Sequence, residues 1–318
     1  PYDSDEARAI CGCLSAILCG ESYAQSALMS EQLGPFPGYK DNADHMLRVI
    51  RNHRRAAYGA DPSDYEDLSI LPVAINEANA PGNMLAAARN CWDRALELGQ
   101  AHGYRNAQVT VIAPTGTIGL LMDCDTTGIE PDLSLVKHKR LVGGGTMSIV
   151  NRTVPRALRR LGYDEASAAA IEAWVDEHQT MVGCPEIRPE HLAVFATSMG
   201  DNPIHHMGHI RMMGAVQPFL SGAISTTVNL PEDASVDDIM ETYTMGWVLG
   251  LKALAVYRDG SKRTQPLNAG MRDAVQDNVV KLQVARPLRR KLPDERAAFT
   301  HKFSIAGHEG YLTVGLYE

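Results

Sequence analysis

The chain has 318 residues, of which 45% are hydrophobic and 21% charged, and a formal net charge of -8. That is the make-up of a folded globular protein and excludes a disordered one, and the acid excess speaks against nucleic acid or an anionic membrane as partner. Its longest apolar runs, such as 112–122, are broken by Pro and Gly and fall short of the roughly 20 residues that a membrane span needs.

The opening Pro1-Tyr2-Asp3-Ser4-Asp5 has no Met, no charged n-region and no apolar h-region, so no secretory signal is read there. Both ends read as cut, and the chain is expected to be a piece of a longer polypeptide. Ser4 or Asp5 caps a helix with apolar positions Ala7, Ile10, Cys11, Leu14, Ile17 and Leu18. A second helix is expected over 23–33, stopped by Gly34-Pro35-Phe36-Pro37-Gly38. A third covers 41–58 with a basic stripe of Arg48, Arg51, His53, Arg54 and Arg55, read as a solvated face. A fourth covers 83–102.

The pattern then changes. Gln108-Val109-Thr110-Val111-Ile112 is a β-branched run leading into Ala113-Pro114-Thr115-Gly116-Thr117-Ile118-Gly119. Further strands are expected at 133–136, 192–197, 223–230 and 253–257, with helices at 154–161, 165–179, 206–219 and 236–249. Such alternation indicates an α/β architecture with parallel strands. A charged, Pro-bounded linker is expected over 268–298, and 299–318 would begin a small β-rich appendix.

The passage from Val109 to Gly119 carries the sharpest chemical signal. A loop of two glycines and two threonines leaving a strand's C-terminal end lets backbone amides converge on phosphate oxygens. Pro114 fixes the entry, Gly116 removes a Cβ, and Thr115 and Thr117 add hydroxyl donors. In a parallel sheet, that end is where ligands bind. The loop is neither a Walker A sequence nor G-x-G-x-x-G, and spacing alone leaves a plain turn as an equal reading. Three segments join it: Thr126-Thr127-Gly128-Ile129-Glu130-Pro131, with one carboxylate; the hydroxyl-rich strand 221–231; and 243–262, with Gly250-Leu251-Lys252-Ala253 and Tyr257-Arg258-Asp259-Gly260-Ser261.

In order and spacing this set resembles the catalytic subunit of the adenosylcobalamin-dependent (class II) ribonucleotide reductases. Further similar stretches lie at 48–58, 71–82 and 301–311. The resemblance implies the second half of a ten-stranded α/β barrel, with N-terminal helices and a short C-terminal β-rich appendix. Residues 1–267 would form that half. It also implies a reaction in which a ribonucleoside diphosphate loses its 2'-hydroxyl by thiyl-radical chemistry, with adenosylcobalamin as cofactor. Pro114, Thr115, Gly116, Thr117 and Ile118 would hold the substrate phosphates. Implied partners are an external dithiol reductant such as a thioredoxin-like protein and the N-terminal half of the barrel, with room for a homodimer.

The catalytic residues do not carry over. The family's Asn-x-Cys-x-Glu finger loop is matched by none of the six cysteines. Cys19 is followed by Gly20-Glu21, but Ile17 stands where Asn is required. No catalytic residue is therefore expected within this fragment. Cys11 and Cys13 have no zinc-site partners in sequence, and six irregularly spaced cysteines do not make a disulfide scaffold. A reduced, cytoplasmic compartment follows. Cys124, close after the loop, is read as a small buried thiol.

His205, His206 and His209 could suggest metal ligands, but no carboxylate or Cys lies near them in sequence, so they read as structural and no metal is expected. Tyr257 reads as packing. The alternative to a reductase piece is a non-catalytic module that holds a phosphorylated ligand or serves as a scaffold.

Overall fold

The computed structural model describes residues 1–140, 146–261, 267–268, 297–305 and 308–315. Two compact units divide the chain, Pro1–Met271 and Arg272–Glu318. The linker expected at 268–298 lies, for 269–296, outside the described residues.

The first helix, α1 (Asp5–Leu33), is capped by Ser4, whose hydroxyl accepts from the Ala7 amide at 3.1 Å. It runs unbroken where two helices were expected. Gly20 does not interrupt it. A Cβ at Gly20 would come within 2.8 Å of Cys91 Cβ and 3.0 Å of the Cys91 backbone, so this glycine lets α1 approach α3 (Gly82–His102) closely. The Gly34–Gly38 breaker does separate α1 from α2 (Tyr39–Tyr58), which ends at left-handed Gly59. The three helices enclose Cys13, Ala16, Tyr23, Ile50, Trp92 and Tyr104, all at most 1% exposed.

The α/β part follows in the order α4 (Gly116–Leu121), β1 (Val136–Arg140), β2 (Thr146–Val150), α5 (Val154–Arg160), α6 (Glu165–His178), α7 (His206–Val216), β3 (Thr227–Leu230), α8 (Val236–Val248), β4 (Ala255–Arg258) and β5 (Leu267–Asn268). Parallel pairing appears where the hydroxyl-rich strand was placed. Thr227↔Ala255 through Leu230↔Arg258 pair in parallel, and Ile112 bridges Ile224 in parallel. Backbone bonds Gly222 N to Thr110 O (2.8 Å), Ile112 N to Ala223 O (3.2 Å) and Ser225 N to Ile112 O (2.8 Å) extend that ladder. The segments 109–112, 221–230 and 255–258 thus lie side by side.

Two strand expectations fail. The run at 192–197 is mostly a 3-10 helix, Pro189–Phe195, started by a proline with preset φ. The strand expected at 133–136 begins only at Val136, because the Ser134 hydroxyl donates to the Val136 carbonyl (2.9 Å) and holds a local turn. From there the chain departs from an all-parallel pattern, as β1 pairs antiparallel with both β2 and β5. A barrel requires a ladder closed around its axis. Among the described residues the ladder stays open, so the ten-stranded barrel is not what they display.

The second unit contains an antiparallel hairpin of β6 (Ala298–Ile305) and β7 (His308–Gly315), in register from Ala298↔Gly315 to Ile305↔His308. The Thr300 and Thr313 hydroxyls lie 2.8 Å apart and Lys302 Nζ sits 2.7 Å from Glu309 Oε1. It is β-structure where the sequence placed a β-rich appendix.

Candidate functional site

The segment 109–112 is held from below by one hydroxyl. Ser221 Oγ accepts from the Val109 amide at 2.9 Å and the Thr110 amide at 2.8 Å, and donates to the Thr110 carbonyl at 3.1 Å. The Thr110 hydroxyl donates to the buried Cys19 Sγ at 3.0 Å. Lys252 Nζ donates to the Ser221 and Gly222 carbonyls, 3.0 Å each. Burial lowers the Lys252 pKa, and burial pushes the Cys19 thiol up to about 11. Cys19 therefore stays protonated and poorly nucleophilic, as a structural thiol should.

From this anchored base the chain turns at Ala113 and Pro114 into Thr115, whose φ is +49°. A β-branched residue in the left-handed region stores strain, which clusters at functional loops. Helix α4 starts directly after it. Pro114, Thr115 and Gly116 are all exposed, and a Cβ built on Gly116 meets no atom within 4 Å. The leading amides of a helix have no acceptor inside their own helix. Ile118, Leu121 and Met122 are 64%, 85% and 71% exposed, so α4 presents an apolar edge beside those amides.

The segment 126–131 braces the loop from behind. Gly128 is left-handed, and a Cβ there would approach the Ala113 carbonyl to 2.7 Å. One at Gly119 would meet Thr127 Cγ2 at 2.7 Å. Glu130 lies near the strand ends as the sequence placed it, but it is spent on anchoring. Its Oε1 accepts from the Thr226 hydroxyl and the Thr227 amide, both at 3.1 Å. Tyr2 completes the brace, donating to the Ile129 carbonyl at 2.8 Å, with its pKa raised by burial first and then by Cys11 and Glu130. The structure therefore brings together Pro114, Thr115, Gly116 and Ile118 on one exposed turn over a rigid base. The Thr117 backbone belongs to the same turn.

Other candidates fall elsewhere. The basic stripe of α2 is not a solvated face. Arg51 grips Glu66 with two bonds (2.7 and 2.6 Å), Arg55 reaches the same carboxylate at 2.5 Å, Arg48 pairs with Asp67, and Arg54 meets Asp93 at 2.5 Å. Glu66 is held down to about 2, first by its hydrogen bond to Arg51. These partners lie 11 to 39 residues further on, beyond the reach of any helical spacing rule. Cys124 is exposed, not buried; Cys13, Cys19, Cys91 and Cys184 are buried, Cys11 is half-buried, and all six are free. Tyr257 sits in β4 opposite Asn229. No described helix is long and apolar enough to cross a membrane.

The family described as "Ribonucleotide reductase, barrel domain" matches residues 1–257. A vitamin B12-dependent ribonucleotide reductase of Rhodopirellula baltica is 49% identical over all of this chain and 30% of its own length. Those of Streptantibioticus cattleyicolor (48%, 99% of this chain, 51% of the relative) and Agrobacterium fabrum (40%, 99% and 34%) align similarly. The chain thus spans about a third to a half of the length of the curated relatives it matches. This match over most of the sequence shows that the chain belongs to the ribonucleotide reductase barrel-domain family.

Proposed function

We propose that this chain is part of a vitamin B12-dependent ribonucleoside-diphosphate reductase and that the turn Pro114–Ile118 seats the substrate's phosphates. The observation that carries this reading is the open space over Gly116 beside exposed Thr115, at the end of the extended segment clamped by Ser221. Amides at the start of α4 and the Thr115 hydroxyl supply donors to phosphate oxygens. The strained Thr115 turn is fixed in advance by the 126–131 brace, so little ordering is left for the moment of binding. The role of this part is positioning: with the diphosphate held, the ribose lies at a fixed reach from the radical-bearing loop supplied by the rest of the polypeptide. The six cysteines give no finger loop, and the buried, protonated Cys19 is no substitute.

Cobalamin, when bound, supplies the radical that starts the reaction. A corrin ring needs a broad apolar face with polar donors at its edge. Ile118, Leu121 and Met122 offer a face, but this chain's described residues do not add a donor set around it. They do not make a corrin site by themselves. The same reading takes an external dithiol as reductant and the N-terminal half of a ten-stranded barrel as partner, in a cytoplasmic setting. It takes residues 1–267 as the second half-barrel and 299–318 as the start of a small further domain.

The test is ribonucleotide binding to the complete polypeptide carrying Thr115→Ala or Gly116→Val. Each is expected to weaken affinity more than a few-fold with the melting temperature nearly unchanged, since a side chain at Gly116 meets no protein atom. Unchanged affinity in both variants overturns the assignment. A non-catalytic phosphate-binding module is the second reading, favoured by the lack of a finger-loop cysteine. It is distinguished by adding the N-terminal portion: deoxynucleotide formation that depends on adenosylcobalamin supports the reductase.

A further inference from the structure

A second chemical cluster lies away from the loop, between α7 and α8. His206 follows the N-cap of α7, where His205 Nδ1 accepts from the Met207 amide at 3.3 Å. The His206 side chain is only 7% exposed, and its Nε2 is buried with no hydrogen-bond partner. Leaving a buried nitrogen unsatisfied is costly, and such an atom calls for a water, an ion or a functional reason. It points at two carboxylates. Glu241 Oε2 stands 3.8 Å away, too far for a hydrogen bond. Asp238, one turn earlier on α8, completes a trio whose ligand atoms all lie within 4.8 Å of one another.

We propose that His206, Asp238 and Glu241 bind a divalent transition-metal ion, for which Zn2+ is the best-matched probe. One imidazole nitrogen and two carboxylate oxygens are a donor set that Zn2+ takes at about 2.0–2.2 Å, and three protein ligands leave a position for water. Ligand atoms on a tetrahedral ion at those bond lengths stand roughly 3.4 Å apart, close to the His206–Glu241 separation. The Glu241 side chain, 57% exposed, has room to rotate toward the other two ligands.

Asp238 is already oriented. The capping box at the start of α8 fixes it, with Oδ2 accepting from the Ser235 amide and hydroxyl at 2.8 Å each. A carboxylate has about four lone-pair sites, so the cap leaves capacity for a metal. The sequence hid this set because its carboxylates stand more than 30 residues beyond the histidine in another helix.

The experiment is a Zn2+ titration of the complete polypeptide against a competing chromophoric chelator, with Glu241→Gln and His206→Gln variants beside the wild type. Six cysteines and the other histidines give background binding, so the readout is the difference between proteins. The proposal expects Glu241→Gln to lose one equivalent of Zn2+, or to bind it about tenfold or more weakly. It also expects Zn2+ to raise the melting temperature of the wild type more than that of the variant. His206→Gln should behave the same way, and if that buried substitution fails to fold, exposed Glu241→Gln decides alone. Equal stoichiometry, affinity and Zn2+-dependent melting shift in wild type and Glu241→Gln overturn it.

Discussion

Thr115 holds φ at +49°, a conformation that costs a β-branched residue on the order of 1–3 kcal/mol. A ligand that needs the Thr115 hydroxyl beside the α4 amides offsets that strain. Thr115→Gly should therefore leave the unfolding free energy unchanged or raise it by up to about 1 kcal/mol, while nucleotide affinity falls. Denaturant titration and binding measured on one preparation check both; a clear loss of stability shows that the threonine is structural.

His53 makes a different prediction. It stacks on Trp92 at 4.8 Å with its Nδ1 bonded to the Pro218 carbonyl, and burial lowers its pKa to about 4 despite that bond. The unfolded chain takes up the proton near pH 6.5, before the folded one does. Its contribution to stability is thus present above pH 6.5 and is lost progressively as pH falls toward 4. Denaturation midpoints at pH 7 and pH 5 should differ more in the wild type than in His53→Gln; equal differences contradict this.

At this scale the turn after Ile112 was readable as a turn, because Pro and Gly fix backbone geometry locally. The partners of the α2 arginines were not, since Glu66, Asp67 and Asp93 come from other elements.

Among the elements, the extended segment 109–112 depends on Ser221 more than on its own sequence. Ser221→Ala removes the acceptor of two amides at once, and should cost about 2–4 kcal/mol. Because the loop grows out of this segment, the variant should also bind nucleotide more weakly. A stability loss with unaltered affinity would show that the loop is set by the 126–131 brace alone.

Helix existence was legible nearly everywhere from apolar spacing and caps, as at Ser4, Asp164 and Ser235. What sequence could not reveal was the purpose of Gly20, a packing contact with Cys91 and not a helix break. Nor could it separate the 189–195 run from a strand, since a short apolar stretch satisfies either period until a proline and its neighbours decide.

In the first unit, the described core falls into three clusters, one within α1–α3, one around α5 and α6, and one between α7 and β3, and much apolar surface remains outside them. Val236, Met240, Tyr243 and Trp247 of α8 are all more than half exposed, as are the outer residues of α4. The fold class read from alternating strands and helices applies to the parallel segments 109–112, 221–230 and 255–258. Closure of a barrel was never in this sequence to read, since closing strands must come from pairing across the whole ring. The proposed function puts the substrate phosphates of the intact protein on the turn that Ser221 anchors and Gly128 backs. A crystal structure of the complete polypeptide with a ribonucleoside diphosphate tests this directly. Phosphate oxygens are expected within about 2.7–3.2 Å of backbone amides between residues 115 and 118; phosphates bound on another surface, with this turn facing open solvent, would contradict it.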